Sequence, residues 1–170
     1  MDDSGLPDAA DEFTIIEPVP PPPLRLTDAK GKKLSLADYA GHVLVVNIWA
    51  TWCGPCVEEI PTLAALAKEI HHFGGLVLPI SIDIDGAQAV EPFYEQHHIT
   101  TLPVLLDPDG INLDLLHTDG VPVTIILNPA GKMVARLDGG ADWNTPRVRA
   151  FLQLLAQPKS KPTTQGATAI

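Results

Sequence analysis

The chain has 170 residues, 45% of them hydrophobic and 19% charged, which is enough for one domain with a substantial core. Its 21 acids against 11 bases give a net charge of −10 with no basic stripe, which argues against nucleic acid or an anionic membrane surface as a partner. No apolar run reaches the roughly eighteen residues of a membrane helix, and the N-terminus lacks the basic flank and apolar centre of a signal peptide. Two origins fit such a start: a cytoplasmic protein, or one whose export signal or anchor has been removed.

Residues 1–23 hold six acids and no Lys or Arg, and end in Pro18-Val19-Pro20-Pro21-Pro22-Pro23. That composition predicts an extended polyproline spacer, the linker a removed membrane anchor would leave behind. Leu24-Arg25-Leu26 and Lys33-Leu34-Ser35-Leu36 alternate around Ala29-Lys30-Gly31 as a hairpin would. Val43 to Trp49 is nearly all apolar, the pattern of a strand covered on both faces. A helix follows, with Ile60, Leu63, Leu66, Ala67 and Ile70 at helical spacing, a kink expected at Pro61, and Gly74-Gly75 closing it.

Leu76 to Ile82 reads as a second buried strand, Ala87 to His97 as a helix and Val104 to Leu106 as a short strand running into the turn Asp107-Pro108-Asp109-Gly110. Ile111 to His117 fits a short helix, and Val123–Leu127 with Met133–Asp138 flank the hairpin signal Asn128-Pro129-Ala130-Gly131. Thr145 as N-cap and Pro146 at the first helical position open a last helix to Ala156. Pro158 to Ile170 has no periodicity and reads as a mobile tail. The alternation predicts an α/β fold with a mixed sheet and helices on both faces, over residues 24–157.

The only two cysteines lie three apart in Trp52-Cys53-Gly54-Pro55-Cys56, at the junction between the apolar strand and the long helix. A dithiol there reads as redox chemistry, in which one thiolate attacks a partner's disulfide and the second resolves the mixed species. Cys53 falls just before the helix, where unpaired N–H groups and the positive dipole end favour an anion. Its pKa is expected to fall to roughly 3.5–7.5, while Cys56, one turn in, stays protonated until it attacks. Gly54 and Pro55 keep the loop tight. A structural disulfide is an alternative, although so short a loop gains little entropy. A zinc site is another, although it needs four ligands and there is no second cysteine pair.

Trp49-Ala50-Thr51-Trp52-Cys53-Gly54-Pro55-Cys56 resembles the active-site segment of the thioredoxin superfamily. Other features make the chain similar to the TlpA/ResA/CcmG-like branch of exported thioredoxin-like proteins, with the TlpA-like thiol:disulfide oxidoreductases nearest. They are Leu36-Ala37-Asp38-Tyr39-Ala40-Gly41, Val46-Asn47-Ile48-Trp49, Glu58-Glu59-Ile60-Pro61, the helix-and-strand insertion from about Ala87 to Leu106, Gly120-Val121-Pro122-Val123-Thr124 and Gly139-Gly140-Ala141-Asp142-Trp143. The resemblance spans about Leu24 to Ala156 and implies a thioredoxin-like fold. It also implies a cis Val121–Pro122 bond facing the dithiol, with Val121 backbone groups available to an extended substrate. Cytoplasmic thioredoxins place a buried Asp where this chain has Asn47, which cannot titrate. Glu59 matches the acid of ResA-like proteins and, three residues after Cys56 on the same helical face, is expected to relay its proton with a pKa raised by burial.

Cys53, Cys56 and Glu59 are thus the expected catalytic residues, and Trp52, Gly54, Pro55, Val121 and Pro122 the expected substrate contacts. No cofactor beyond the Cys53–Cys56 pair and no metal is expected. Trp49 and Trp143 are read as packing residues, the six histidines as surface or helix-end residues, and Asp83 and Asp85 as solvated loop-entry acids. The function implied is a periplasmic, membrane-anchored, monomeric reductant of cysteine pairs in cytochrome c maturation or copper-site assembly proteins, recharged by an upstream membrane thiol reductant. A copper-binding chaperone, and a thiol oxidase or isomerase on the same fold, are the alternatives.

Overall fold

The computed structural model describes residues 5–157; the tail expected at 158–170 lies outside the described residues. In chain order the elements are α1 (Ala9–Glu12), β1 (Thr14–Val19), β2 (Leu26–Thr27), β3 (Lys33–Leu34), β4 (Leu44–Trp49), α2 (Gly54–Ile70), β5 (Leu76–Ser81), α3 (Ala87–Gln96), β6 (Leu105–Leu106), α4 (Ile111–Leu115), β7 (Val123–Leu127), β8 (Met133–Asp138) and α5 (Pro146–Ala156), with a short 3-10 turn at Leu36–Tyr39 and another at His71–Phe73. The strands form one mixed sheet in the order β1-β8-β7-β4-β5-β6-β2-β3. β4 lies at its heart, parallel to β5 and antiparallel to β7, and every residue of it is buried.

Alternation along β4 divides the core in two. Val45 and Trp49 face a layer built from Ile60, Leu63, Leu66 and Ile70 of α2, Phe93 and Tyr94 of α3, and Val148 and Leu152 of α5. Leu44, Val46 and Ile48 face the opposite layer, made with Leu24, Leu26, Leu78, Ile80, Leu105 and Leu116. The helices are therefore unequally shared: α1, α2, α3 and α5 cover one face, while α4, the hairpin and the 3-10 turn cover the other. Each fully buried aliphatic side chain in these layers contributes about 1.5–3 kcal/mol from burial.

The spacer expected at residues 1–23 is not what the described part of that stretch forms. Asp8 caps α1, and β1 pairs antiparallel with β8, Thr14 opposite Arg136 and Ile15 opposite Ala135. The register shifts between Ile15 and Val19, where Pro18 sits. A proline lacking its N–H is tolerated on such an edge strand, and the irregularity accommodates it. From β1 at one edge the chain passes through the prolines to β2 beyond the other flank of the core, tucking Leu24 into the second layer. The prolines thus connect two strands of one sheet.

α2 runs unbroken through Pro61, which has no N–H to offer the carbonyl four residues earlier. After it, Gly74 adopts φ +85°, and Gly75 presses against the helix it follows: a Cβ there would lie 2.8 Å from Cδ1 and 3.0 Å from Cγ1 of Ile70. Ile70 is itself fully buried and has nowhere to go. Gly75→Ala should therefore destabilise the protein by about 1–3 kcal/mol in chemical denaturation, with the activity per folded molecule unchanged.

Candidate active site

The turn from β4 into α2 carries both cysteines, joined in a disulfide. Cys53 is the N-cap of α2: its backbone is extended, and its sulfur accepts the Cys56 N–H at 3.2 Å. A sulfur in that position faces the free N–H groups of a 17-residue helix, an arrangement that stabilises a thiolate once the disulfide is opened. Gly54 and Pro55 occupy the first turn, where a missing N–H costs nothing. Cys56 is fully buried and Cys53 is 6% exposed, so an incoming disulfide can reach only the first sulfur. Across the cleft the Val121–Pro122 bond is cis, and the Val121 carbonyl oxygen lies 3.7 Å from Cys53 Sγ, positioned to accept from the thiol in the reduced protein.

Beneath the cysteines Glu59 is completely buried. Asn47 Nδ2 of β4 donates to its Oε1 at 3.0 Å. The Ala141 N–H and the Trp143 indole Nε1, from the loop after β8, donate to Oε2 at 3.1 and 2.8 Å. Asn47 Nδ2 also reaches Thr124 Oγ1 of β7 at 2.9 Å, while Asn47 Oδ1 finds no partner among the described residues. Burial pushes the Glu59 carboxyl from 4.5 up to about 7, and the three hydrogen bonds only partly offset it. A carboxyl poised near neutrality, one helical turn beyond the buried thiol, can take or return a proton at working pH.

Asp83, expected among the solvated acids, is buried. Its carboxylate accepts from the Thr51 N–H at 2.9 Å, the Thr51 hydroxyl at 2.7 Å and the Ser81 hydroxyl at 2.6 Å. It thereby pins the residue before Trp52 to the end of β5. Alternation of Ser81 and Asp83 on one face of the strand was the sequence signal for this, but nothing local pointed to Thr51 as the partner. Asp85 is exposed as expected. Trp52 is 67% exposed beside Cys53, and Trp49 is buried against Phe93 and Tyr94. Trp143 is buried too, but beyond packing it supplies the shortest hydrogen bond to Glu59. All six histidines are exposed; the Nδ1 atoms of His42 and His72 bond to the carbonyls of Gly74 and Glu69.

Glu59 also makes stability depend on pH. Its folded pKa of about 7 lies above the unfolded value, so its contribution is fully present below about pH 4.5 and is lost as pH rises through about 7. Glu59→Gln removes that dependence. Relative to the parent protein, the variant should gain about 3 kcal/mol in urea denaturation between about pH 4 and pH 8.

The AhpC/TSA family model matches residues 19–136. The thiol-disulfide oxidoreductase ResA of Bacillus subtilis is 32% identical over 130 residues, covering 76% of this chain and 72% of its own. The thiol:disulfide interchange protein DsbE of Pseudomonas aeruginosa is 30% identical over 165 residues, covering 95% of this chain and 86% of its own. A solution structure of a thiol:disulfide interchange protein from Bacteroides sp. superposes with a TM-score of 0.69 at 23% identity, covering 89% of this chain and 97% of the other, and establishes likeness of fold. With a thioredoxin-like sheet, a cysteine pair capping the helix after its central strand and these relatives, the chain belongs to the AhpC/TSA family, as a thiol–disulfide oxidoreductase.

Proposed function

We propose that this protein reduces cysteine pairs in partner proteins outside the cytoplasm, with Cys53 as nucleophile, Cys56 as resolving thiol and Glu59 as its proton acceptor. The observation that carries this reading is the fully buried Glu59 carboxyl, held near neutrality on the helical face of the buried cysteine. In the reduced protein the Cys53 thiolate attacks one sulfur of the partner's disulfide. That bond breaks, a Cys53–partner disulfide forms, and the partner's other sulfur leaves as a thiolate. Cys56 then passes its proton to Glu59 and attacks Cys53 Sγ, breaking the mixed disulfide and expelling as a thiolate the partner sulfur that Cys53 had bound. The partner gains two electrons and the Cys53–Cys56 disulfide is formed.

Val121 and Pro122, with Trp52, Gly54 and Pro55, border the sulfur and form the surface a substrate backbone would meet. The pair itself is the only redox group the cycle calls for, and an upstream membrane thiol reductant would recharge it. Resemblance to the TlpA, ResA and CcmG-like branch supports a periplasmic setting, attachment to a membrane, and substrates among cytochrome c maturation or copper-site assembly proteins. The acidic start no longer supports attachment as a spacer, since α1 and β1 lie within it and β1 pairs with β8. The copper-chaperone alternative needs further ligands at the cysteines, and among the described residues no three His, Cys, Asp or Glu side chains converge.

Cys53→Ser should abolish reduction of insulin disulfides. Cys56→Ser should instead stall at the mixed disulfide, so that partners captured in cells are released by reductant and identified by mass spectrometry. A reduction potential in the range of strong oxidants would turn the direction round and overturn the reductant reading. The proton relay is read separately. When reduced protein reacts with dithiobis(nitrobenzoate), attack by Cys53 releases a first thionitrobenzoate and resolution by Cys56 a second. The second release should accelerate with pH around a midpoint near 7 and lose that midpoint in Glu59→Gln; an unchanged profile in the variant would remove Glu59 from the mechanism.

A further inference from the structure

The three donors to Glu59 differ in how they are held. Asn47 lies in the central strand, whereas Ala141 and Trp143 stand in a loop between β8 and α5 with no strand beside it in the main sheet. The residue between them is Asp142, and both of its backbone groups are taken by the N-terminal segment. The Asp142 N–H donates to the Pro7 carbonyl at 2.8 Å, and the Asp142 carbonyl accepts the Ala9 N–H at 2.9 Å.

Side chains of the same segment complete the attachment. Asp8 Oδ1 accepts from the Ala10 N–H at 2.9 Å and from the Thr145 hydroxyl at 2.8 Å, tying the segment to the N-cap of α5. Ala9 is fully buried, and Phe13 stacks near-parallel on Trp143 with ring centroids 6.2 Å apart. Leu6 reaches Gly140 on the loop's other shoulder, where Pro55 of the active-site turn also closes in: a Cβ on Gly140 would stand 3.3 Å from Pro55 Cβ and 3.7 Å from Leu6 Cδ2.

We propose that the segment Leu6–Phe13 is a positioning element of the acid–base site: by gripping Asp142 it sets the Ala141 N–H and the Trp143 indole on the Glu59 carboxylate and keeps water away from it. This rests on the reading of Glu59 as the relay for Cys56, and the segment acts through the loop that carries two of its donors. Sequence composition gave these residues a spacer's role, yet their contacts are with the loop that lies between the cysteines and α5. Pulling the segment away would loosen two of the three hydrogen bonds and open the carboxyl to solvent.

Burial is the largest influence on Glu59, ahead of all three hydrogen bonds, and no charged group adds to it. The neighbours facing it are neutral: Asn47 from β4 with Thr124 behind it from β7, Ala141 and Trp143 from the loop, and Cys56 from its own helix. The charges of the clamp are Asp8, Asp11, Glu12, Asp142 and Arg147, which pairs with Asp11 and lies 4.0 Å from Asp8; Asp142 Oδ1 accepts from the Asn144 N–H within its own loop. On release of the clamp, hydration therefore outweighs the loss of donors, and Glu59 titrates lower.

The test is the pH profile of the second thionitrobenzoate release in the full chain carrying Asp8→Ala, Asp8→Asn or Ala9→Lys, with hydrogen exchange read at the Ala141 amide. Asp8→Ala removes the acceptor for Ala10 and Thr145, and Ala9→Lys puts a long side chain where there is no room. Each should lower the midpoint by about one pH unit or more and speed exchange at Ala141. Asp8→Asn keeps the acceptor while losing the same charge, so a profile close to the parent's separates positioning from a simple charge effect. A fall in melting temperature with midpoint and exchange unmoved, or a midpoint that rises, overturns the proposal. If Glu59→Gln keeps the parent profile, the relay reading fails by itself, and exchange at Ala141 still decides whether the segment holds the loop.

Discussion

Burying one carboxyl group beneath a pair of cysteines constrains most of this molecule. Glu59 lies against a largely aliphatic and aromatic core, its polar neighbours are neutral, and no cation stands beside it. An unpaired carboxylate in such a place would be prohibitively costly, so hydrogen-bond donors must be brought to it from elsewhere. They come from β4, 12 residues back, and from the loop after β8, 82 and 84 residues on. The central strand, the long helix and the loop before α5 are thus required to meet at one point. That point lies on the face of α2 that also carries Cys56.

Two buried acids flank the dithiol and have different environments. Asp83, at the end of β5, accepts from two hydroxyls and a backbone N–H, and fastens the turn that presents Trp52 and Cys53. Glu59, deeper in, accepts three hydrogen bonds that only partly offset its burial, and sits near neutrality. One acid holds geometry and the other can hold a proton. The buried pair of sulfurs lies between them, the first at the mouth of the cleft and the second against the core.

Much of this was legible in the chain because it is local. The all-apolar β4, the spacing of α2, the Asn-Pro-Ala-Gly hairpin and the Thr145 cap each announce themselves within a few residues, and so does a dithiol at a strand-to-helix junction. What escaped is long-range. The Trp143–Glu59 bond spans 84 residues and the Thr51–Asp83 bond 32, and side chains read singly looked like packing and solvated surface. The N-terminal segment escaped for a different reason. Its acids and prolines dominate the composition, and β1 is largely exposed, so no hydrophobic alternation marks it. Phe13-Thr14-Ile15-Ile16, an aromatic and β-branched run behind a capping Asp8, was the available signal. Averaging over the whole stretch diluted it.

Asn47 shows how the site can serve both states of the acid by turning over a single amide. In β4 its amide nitrogen bonds Glu59 and Thr124 together, leaving its oxygen without a partner among the described residues. That geometry suits an ionised Glu59, which can only accept. Once Glu59 holds a proton it needs an acceptor instead. An amide turned over about its Cβ–Cγ bond would offer oxygen to the carboxyl O–H and to the Thr124 hydroxyl alike. A carboxylate in place of Asn47 would lack the donor, and two facing acids would drive each other's titration apart. An amide, opposite a hydroxyl that can donate or accept, keeps both forms bonded. The partner that cannot titrate therefore suits an acid that, in the cycle proposed above, takes up a proton at each turnover.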